Sequence, residues 1–494
     1  MAREPVDHAA GDTARRRARA APRLGEVAGK DASEPTTPRQ KSASIVSVNA
    51  ANISPRPSLA AAPTSVPLNL LDEHFLNLDD EREPWSIQLE VRVGGRLDPE
   101  RLSAAIAAAI RRHPLARARL ASWEPSDRAY RWEIADRRDE VPLTVAACPH
   151  ETLLADARER LFGVSPALED APPFAVVLAQ GPDGDSILLN LHHAAGDGVS
   201  AVRLMRSILR AYAGEEDPVP ELDPLGVRDV LALAGARSLE ERIVRGYALA
   251  LNAVRQLTPT ARVAREGGDG RPGYGFELLA LSAEETREVR SKQGPDTTVN
   301  DVLLAALAVA ISRWNASRSR WPGRIALTMP VNLRPAAWHD EVIGNFASYV
   351  TVSLGFCEHQ ELQRALEVTG ERTRRIKQDG LAGLVIDLLV GPSRLPVRAK
   401  RRLKDLIPLT GNAVVDTASL SNLGVLDEWP WLGDDAGTVE AVWFSPPGRM
   451  PLGTAFGATT VGGRLHVTLR YAHAQFGQAG ARAFADLYRS LLLS

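Results

Sequence analysis

The hydrophobic pattern changes period several times along the chain, and the two periods predict different elements. Alternating or short continuous apolar runs predict strands at Trp85–Val93, Ala116–Leu120, Tyr130–Ile134, Phe174–Ala179, Ser186–Leu191, Phe276–Leu281, Ile325–Met329, Tyr349–Leu354, Val414–Ser419, Ala441–Phe444, Thr454–Thr460 and Leu465–Tyr471. Apolar residues three and four positions apart predict helices after Asp98 and over Thr152–Phe162, Ser200–Tyr212, Leu239–Leu257, Thr298–Trp314 and Ala479–Leu493. Because strands and helices do not alternate regularly, we predict an α/β fold of the two-layer α+β kind, with strands from both halves.

Shifts in composition divide the chain into four parts. Residues 1–62 are rich in Ala, Arg, Pro, Ser and Thr and contain almost no large apolar side chains, which predicts a disordered N-terminal tail. Prolines in Asp217–Pro224 and glycines in Gly267–Gly275 bracket a helical stretch. We therefore predict subdomains at residues 63–215 and 276–494, joined by a helical connector at residues 216–275.

Composition and charge exclude several classes of protein. The 59 basic and 61 acidic residues give a net charge of -2, so there is no global attraction to nucleic acid. The two cysteines, Cys148 and Cys357, are far apart, which argues against a disulfide scaffold or a zinc finger and fits a reducing cytoplasm. No apolar window approaches the ~20 residues of a membrane-spanning helix. We expect a cytoplasmic monomer that at most contacts a membrane peripherally.

The sharpest chemical signal is the run His192-His193-Ala194-Ala195-Gly196-Asp197-Gly198, at a junction between a predicted strand and a predicted helix. A histidine titrates near neutral pH and can take a proton from a hydroxyl, amine or thiol, so His193 is the candidate general base. Asp197 is expected to turn back to a buried cation and fix the loop. Gly198 leaves room for a close approach of backbone and substrate.

The histidine pair has three other possible roles. Adjacent histidines at a strand end point to opposite faces and no other Cys/His cluster supplies ligands, so we expect no metal site. A structural role is favoured for His192, whose face of the strand turns inward. A serine nucleophile served by His193 is disfavoured, because the chain has no Gly-x-Ser-x-Gly elbow.

The motif and its surroundings resemble the superfamily that includes chloramphenicol acetyltransferase, the condensation domains of nonribosomal peptide synthetases, polyketide-associated acyltransferases and wax ester synthase/diacylglycerol acyltransferases. The resemblance extends from about Pro67 to Ser494. Its further motifs follow in the family's order: Leu70-Leu71-Asp72-Glu73-His74-Phe75-Leu76, Arg112-His113-Pro114-Leu115, Thr298-Val299-Asn300-Asp301-Val302-Leu303-Leu304-Ala305, Pro330-Val331-Asn332-Leu333-Arg334, Gly344-Asn345-Phe346 and Ser421-Asn422-Leu423-Gly424.

The resemblance implies two chloramphenicol acetyltransferase-like subdomains with a tunnel between them, in which a thioester donor and an acceptor meet at His193. It implies that Asp197 pairs with Arg334, and that Ser421, Asn422 and Asn345 are candidates to line the tunnel or stabilise the oxyanion. No cofactor is implied, since acyl-CoA or an acyl carrier protein serves as the donor substrate.

Some of these residues also have interpretations that involve no function. Arg334 could be a surface residue at a strand end, the Ser421–Gly424 segment could be a tight turn, and Asn300-Asp301 could simply start a helix. Where wax ester synthases carry Pro-Leu-Trp, this chain has Pro172-Pro173-Phe174, which favours the polyketide-associated or stand-alone condensation-like branch. No carrier or adenylation domain fits within the chain, so we expect a free-standing transferase.

A basic stretch adds candidate partners. Its cations are Arg394, Arg398, Lys400, Arg401, Arg402 and Lys404. This stretch could bind an acidic carrier protein, the phosphates of coenzyme A or an anionic membrane, although a solvated helix face is the favoured interpretation.

The leading hypothesis is acyl transfer to a hydroxyl of an apolar lipid or natural-product acceptor. Amide formation and a non-catalytic module that binds carrier proteins or lipids are the alternatives.

Overall fold

Two six-stranded sheets and one small sheet organise the chain. The computed structural model describes residues 45–47, 64–135, 140–169, 172–218, 222–256, 258–321, 323–335, 338, 342–410 and 415–494. Its strands are β1 (Ile45–Ser47), β2 (Thr64–Pro67), β3 (Ser86–Val93), β4 (Ala118–Leu120), β5 (Arg131–Ile134), β6 (Leu143–Ala147), β7 (Phe174–Gly181), β8 (Gly184–His192), β9 (Tyr274–Ala280), β10 (Ile325–Asn332), β11 (Ala347–Leu354), β12 (Ala418–Val425), β13 (Val439–Ser445), β14 (Thr454–Val461) and β15 (Arg464–Ala472).

The helices cover both large sheets. They are α1 (Leu70–Leu78), α2 (Pro99–Arg112), α3 (Glu151–Phe162), α4 (Gly198–Ala213), α5 (Val230–Ala234), α6 (Leu239–Gln256), α7 (Ala283–Ser291), α8 (Val299–Ala316), α9 (Leu362–Gln378), α10 (Leu384–Ser393), α11 (Val397–Arg402) and α12 (Gln478–Leu493). The first sheet has the order β1-β6-β7-β8-β3-β13, and the second has the order β11-β10-β12-β14-β15-β9. The third sheet has the order β2-β5-β4. The predicted α/β fold in two halves is confirmed.

Each half buries its own apolar core. In the first half, α2 packs on α4, and the predicted helix face of Leu102, Ile106 and Ile110 is buried against the first sheet. In the second half, α8 is buried along almost its whole length and packs between α9 and α12. Because α8 is apolar all round, it forms the centre of its core and not a surface layer.

One strand from the C-terminal half completes the sheet of the N-terminal half. β13 pairs antiparallel with β3, with Phe444 opposite Leu89. β13 also packs against β14, where the backbones approach so closely that a Cβ at Gly457 would lie 1.8 Å from the carbonyl oxygen of Phe444. Only glycine fits that contact, which ties the two sheets together.

The structure differs from the sequence predictions in several segments. Ile45–Ser47 fall within the predicted tail and pair antiparallel with β6, since a sheet edge offers free backbone groups to an extended segment. The rest of that prediction, residues 1–44 and 48–62, lies outside the described residues, as do Leu257 and Val414. β12 begins at Ala418 and continues through the Ser421–Gly424 segment. The alternative prediction that this segment forms a tight turn is therefore wrong. A bulge between Asn422 and Val425 accommodates Gly424, whose φ is +79°.

The basic stretch is only partly a solvated helix face. Lys400 is buried and donates to Glu73 Oε2 at 2.6 Å and to the Arg128 carbonyl at 2.6 Å. Lys404 donates to the Asp79 carbonyl at 2.8 Å and pairs with Asp80. These lysines therefore attach α11 and the turn after it to the first half. Four cations of the stretch remain exposed, namely Arg394, Arg398, Arg401 and Arg402.

Candidate active site

The motif occupies the short connection from β8 to α4. The amide of His193 donates to the carbonyl of Trp85 at 3.0 Å and so continues the pairing of β8 with the segment before β3. Asp197 is the N-cap of α4, and its Oδ1 accepts from the amide of Ser200 at 3.0 Å. An N-cap aspartate stabilises the first turn of the helix and fixes the angle at which the chain enters it.

Asn345 determines how the His193 imidazole is oriented. Nδ2 of Asn345 donates to Asp72 Oδ1 at 3.0 Å and to the carbonyls of His193 at 2.7 Å and Ala194 at 2.9 Å. Since acceptors surround Nδ2, the amide oxygen must face Nδ1 of His193, which lies 3.2 Å away. Nδ1 therefore carries the hydrogen, and the lone pair of the imidazole is on Nε2.

Buried contacts hold the Asn345 amide in turn. Asp72 is fully buried in α1, and its carboxylate accepts from Trp132 Nε1 at 3.2 Å and pairs with Arg228. The ring of Phe75, also in α1, stacks on the His193 imidazole with 3.7 Å between centroids. Helix α1 thus supports the imidazole from two directions, through the amide and through the aromatic ring.

The environment keeps His193 uncharged at neutral pH. Burial lowers the pKa of His193 to about 4, although its contacts with Asp197 and Asn345 act in the opposite direction. His193 keeps 6% of its surface exposed, and no residue in the described part of the chain donates a hydrogen bond to its Nε2. The imidazole is therefore a neutral acceptor that is held in one orientation.

Asp197 and Arg334 form the ion pair that the resemblance implies. Arg334 Nη1 donates to Asp197 Oδ2 at 2.7 Å, and both side chains are almost fully buried. Burial alone would raise the pKa of Asp197, but the charge of Arg334 and hydrogen bonds from Arg334, Phe346 and Ser200 hold that pKa below its usual value. Nη2 of Arg334 also donates to Ser200 Oγ and to the Gly344 carbonyl. The alternative hypothesis that Arg334 is a surface residue at a strand end is therefore wrong.

His192 points away from His193. Its Nδ1 accepts from the amide of Ala194 at 3.0 Å, and its Nε2 lies 3.6 Å from Asp79 Oδ2. Burial would raise the pKa of Asp79, but the contacts with His192 and Ser165 lower it overall. Neighbouring strand residues alternate in direction, which explains why the two imidazoles contact different groups. Within the described ranges, no three His, Cys, Asp or Glu side chains converge as metal ligands would.

A cavity of about 630 Å³ opens between the two halves beside the motif. Its lining includes Asp197 and Gly198 from the first half and Ser421 and Asn422 from the second. A Cβ at Gly198 would lie 2.7 Å from Leu423 of β12 and 3.1 Å from Phe444 of β13, so glycine keeps the start of α4 close to both strands. His193 does not line this cavity, whose lining nearest to it in the motif is Asp197 and Gly198.

One predicted site residue has different contacts from those expected, and other residues were not predicted. Asn345 cannot donate to an oxyanion, because its two amide hydrogens are already shared among three acceptors. Asp72, Phe75 and Arg228 were not predicted as part of the site. The signal for Asp72 was an acidic residue among apolar ones in the Leu70–Leu76 segment, but only the folded chain shows where its carboxylate points.

Comparisons with known proteins agree with this architecture. The model of the Condensation domain family matches residues 74–388. An uncharacterised protein of Mycobacterium tuberculosis is 39% identical over 433 residues, which cover 86% of this chain and 99% of that protein. Surfactin synthase subunit 1 of Bacillus subtilis is 24% identical over a match that covers 85% of this chain and 12% of the synthase.

Solved structures share the fold. Trichothecene 15-O-acetyltransferase from Fusarium sporotrichioides superposes with a TM-score of 0.63 over 87% of this chain and 95% of the acetyltransferase, at 11% identity. At that identity the likeness concerns the fold alone.

No helix in the described ranges is long and apolar enough to cross a bilayer.

Proposed function

The chain belongs to the condensation-domain family, and from that premise we propose that it transfers an acyl group from a thioester to a hydroxyl of an apolar acceptor, with His193 as the general base. The donor is an acyl group on coenzyme A or on a carrier protein. The acceptor is a lipid or natural-product alcohol. The reaction needs no metal or organic cofactor, because the thioester is already activated.

The observation that carries the proposal is the state of the His193 imidazole. Nδ1 is occupied by Asn345 at 3.2 Å, and burial keeps the ring neutral. The only free lone pair of the ring is therefore on Nε2, and its direction is fixed before a substrate arrives. An imidazole that is already neutral and already oriented is ready to accept the proton. No fraction of the enzyme is then inactive because the ring is protonated or rotated away from the substrate.

The chemistry follows from that lone pair. Nε2 takes the hydroxyl proton as the acceptor oxygen attacks the thioester carbonyl, and a C–O bond forms while the carbonyl oxygen becomes an oxyanion. The intermediate then collapses, the C–S bond breaks, and the leaving thiolate takes the proton from Nε2. The imidazolium and the oxyanion exist together, so their opposite charges stabilise each other in a site with little water.

Other side chains have supporting roles in this proposal. Ser421 and Asn422 line the cavity beside Gly198 and are the candidates to donate hydrogen bonds to the oxyanion. The ion pair of Asp197 with Arg334, at 2.7 Å, keeps α4 and the β8–α4 loop in register with the second half. Neither of these charged groups takes part in proton transfer, since each is bound to the other.

The experiment measures thiol release by the purified full chain from a series of acyl-CoA donors in the presence of alcohols. We expect His193→Ala to lower the rate by roughly a hundredfold or more, as for loss of a general base. His150 is exposed and far from the motif in sequence, so His150→Ala serves as the matched control with an unchanged rate. A full rate in His193→Ala would overturn the assignment of the base.

Amide formation is the second candidate, because the family model is that of condensation domains and a probable nonribosomal peptide synthetase of Salinispora arenicola is among the relatives. The same base would deprotonate an amine during its attack on the thioester. Matched amine and alcohol versions of one acceptor separate the two functions. Equal or faster turnover of the amine would replace the proposal of ester formation.

A further inference from the structure

A second cavity, of about 580 Å³, lies between α6, β11, α9 and α10. It shares no lining residue with the cavity beside Gly198 in the described chain. Its walls are mostly aliphatic and include Leu249, Ile376, Leu381, Leu384, Val385 and Leu389. The volume lies within the range of roughly 300–1,000 Å³ that is usual for small-molecule sites.

Both arginines at this cavity are neutralised by glutamates. Arg375 pairs with Glu371 at 2.8 Å, and Arg372 pairs with Glu358 at 2.8 Å. All four side chains lie on α9 or in the turn before it. The remaining charged lining residue, Asp379, is exposed at the end of α9. Because the cations are paired and most of the walls are aliphatic, the cavity fits an uncharged apolar ligand better than an anion.

The inner end of the cavity contacts the layer that supports His193. Tyr349 lines the cavity, and its hydroxyl lies 3.0 Å from Nε2 of His74 in α1. Burial raises the pKa of Tyr349 to about 12, so the hydroxyl keeps its proton at neutral pH. The next residue of α1 is Phe75, which stacks on His193 at 3.7 Å. The rings of His74 and Phe75 lie 5.4 Å apart between centroids, so three consecutive side-chain contacts connect the cavity to the base.

The mouth of the cavity is apolar and exposed. Tyr247 and Val244 of α6 are 66% and 37% exposed, and Leu388 of α10 is 46% exposed. Among residues 239–250 of α6, only Arg245 is buried, where it pairs with Asp387 at 2.6 Å. Apolar side chains that stay in water beside an apolar cavity are typical of an entrance for an apolar ligand.

We propose that this cavity binds the alkyl chain of the acceptor alcohol, with its hydroxyl-bearing end directed past Tyr349 and His74 toward Nε2 of His193. The inference rests on the proposed function for its choice of an alcohol. Paired charges at α9, aliphatic walls and the contact of Tyr349 with α1 support an alkyl chain over a polar ligand. The thioester then reaches the site from the other side, through the cavity beside Gly198.

The first test measures binding of 1-hexanol, 1-octanol and 1-decanol to the full chain by calorimetry, without a donor. We expect the affinity to rise about fourfold for each added methylene, as for burial of that group. Leu384→Trp fills the cavity and should weaken 1-decanol binding by at least tenfold, and Val385→Phe is a milder filling variant. Leu395 is 37% exposed and outside the lining, so Leu395→Trp should bind as the wild type does.

The outcomes separate this inference from the proposed function. If affinity does not depend on chain length, or if both filling variants bind 1-decanol as the wild type does, the alkyl site is wrong even where thiol release occurs. If 1-decanol binds and the filling variants lose it while neither acyl-CoA nor an acyl carrier-protein thioester is consumed, the alkyl site stands and acyl transfer to an alcohol is wrong.

Discussion

At the scale of single residues, the imidazole of His193 is controlled by one hydrogen bond and by burial. Asn345 accepts from Nδ1 at 3.2 Å, while Asp72 holds the amide of Asn345 from the other end at 3.0 Å. An amide takes the place that a carboxylate fills in many histidine-dependent sites. The uncharged partner orients the ring without stabilising its protonated form as a full negative charge would.

We predict that Asn345→Ala lowers kcat by tenfold or more and leaves KM nearly unchanged. The variant removes the acceptor of Nδ1, so the ring can rotate or adopt the other tautomer. Steady-state rates of thiol release measure the effect, and ¹⁵N NMR of labelled histidine reports the tautomer. A fall in kcat with the same tautomer as the wild type would contradict this role of Asn345.

We also predict that the acid limb of the pH profile lies well below pH 6.5. Burial lowers the pKa of His193 to about 4, so the neutral form that accepts the proton persists until the pH falls toward that value. The profile of kcat/KM should therefore be flat between about pH 8 and 6. Phe75→Ala exposes the ring to water and should move the limb upward, toward the ordinary value for histidine of about 6.5.

At the scale of elements, Gly457 shows how one residue fixes the approach of two sheets. A Cβ at this position would lie 1.8 Å from the carbonyl oxygen of Phe444 and 2.7 Å from its carbonyl carbon. Backbone atoms cannot rotate away as a side chain can. With any side chain at position 457, β13 could stay in the first sheet only if β14 moved away from it. The cavity between the halves would then change as well.

We predict that Gly457→Ala destabilises the protein by about 1–3 kcal/mol or more, as for overpacking of a tight core. The control is the same substitution in an exposed helix, Gly246→Ala in α6, where nothing beyond the chain neighbours and the backbone of the same helix lies within 4 Å of the added Cβ among the described residues. It should stabilise by about 0.4–1 kcal/mol through lower chain entropy. Urea unfolding measures both, and equal effects of the two substitutions would refute the contact at Gly457.

At the scale of the whole molecule, the buried ion pair of Asp197 and Arg334 links the two halves next to the base. Asp197 caps α4 in the first half, and Arg334 follows β10 in the second half. Arg334 also lies over the Phe346 ring, 4.6 Å from its centroid. Both the position of α4 and the cavity beside Gly198 depend on this link.

We predict that Asp197→Asn costs about 3–5 kcal/mol, because it leaves the Arg334 charge buried without a partner. Asparagine can still cap α4 through its amide oxygen, so the loss measures the contacts of Oδ2 with Arg334 and with the Phe346 amide and not the cap. Arg334→Met in the same chain should restore part of the stability. Asp98, the N-cap of α2, accepts from the Arg101 amide at 2.6 Å at an exposed site, so Asp98→Asn is the nearly neutral control in the same unfolding assay.

The sequence by itself determined the elements and the chemical type of the site. Periodicity predicts strands β7 and β8, helices α2, α4, α8 and α12, and the position of the histidine motif at the β8–α4 junction, because these features depend on residues close together in the chain. The order of the motifs indicated the family and its two-half fold.

Only the tertiary structure decided which distant side chains meet. The contact of His193 with Asn345 spans 152 positions, and that of Asn345 with Asp72 spans 273. The placement of β13 in the first sheet is equally non-local. Local pattern does not encode such contacts, because they result from the packing of whole sheets and helices, and a buried polar group takes whichever partner that packing brings within reach.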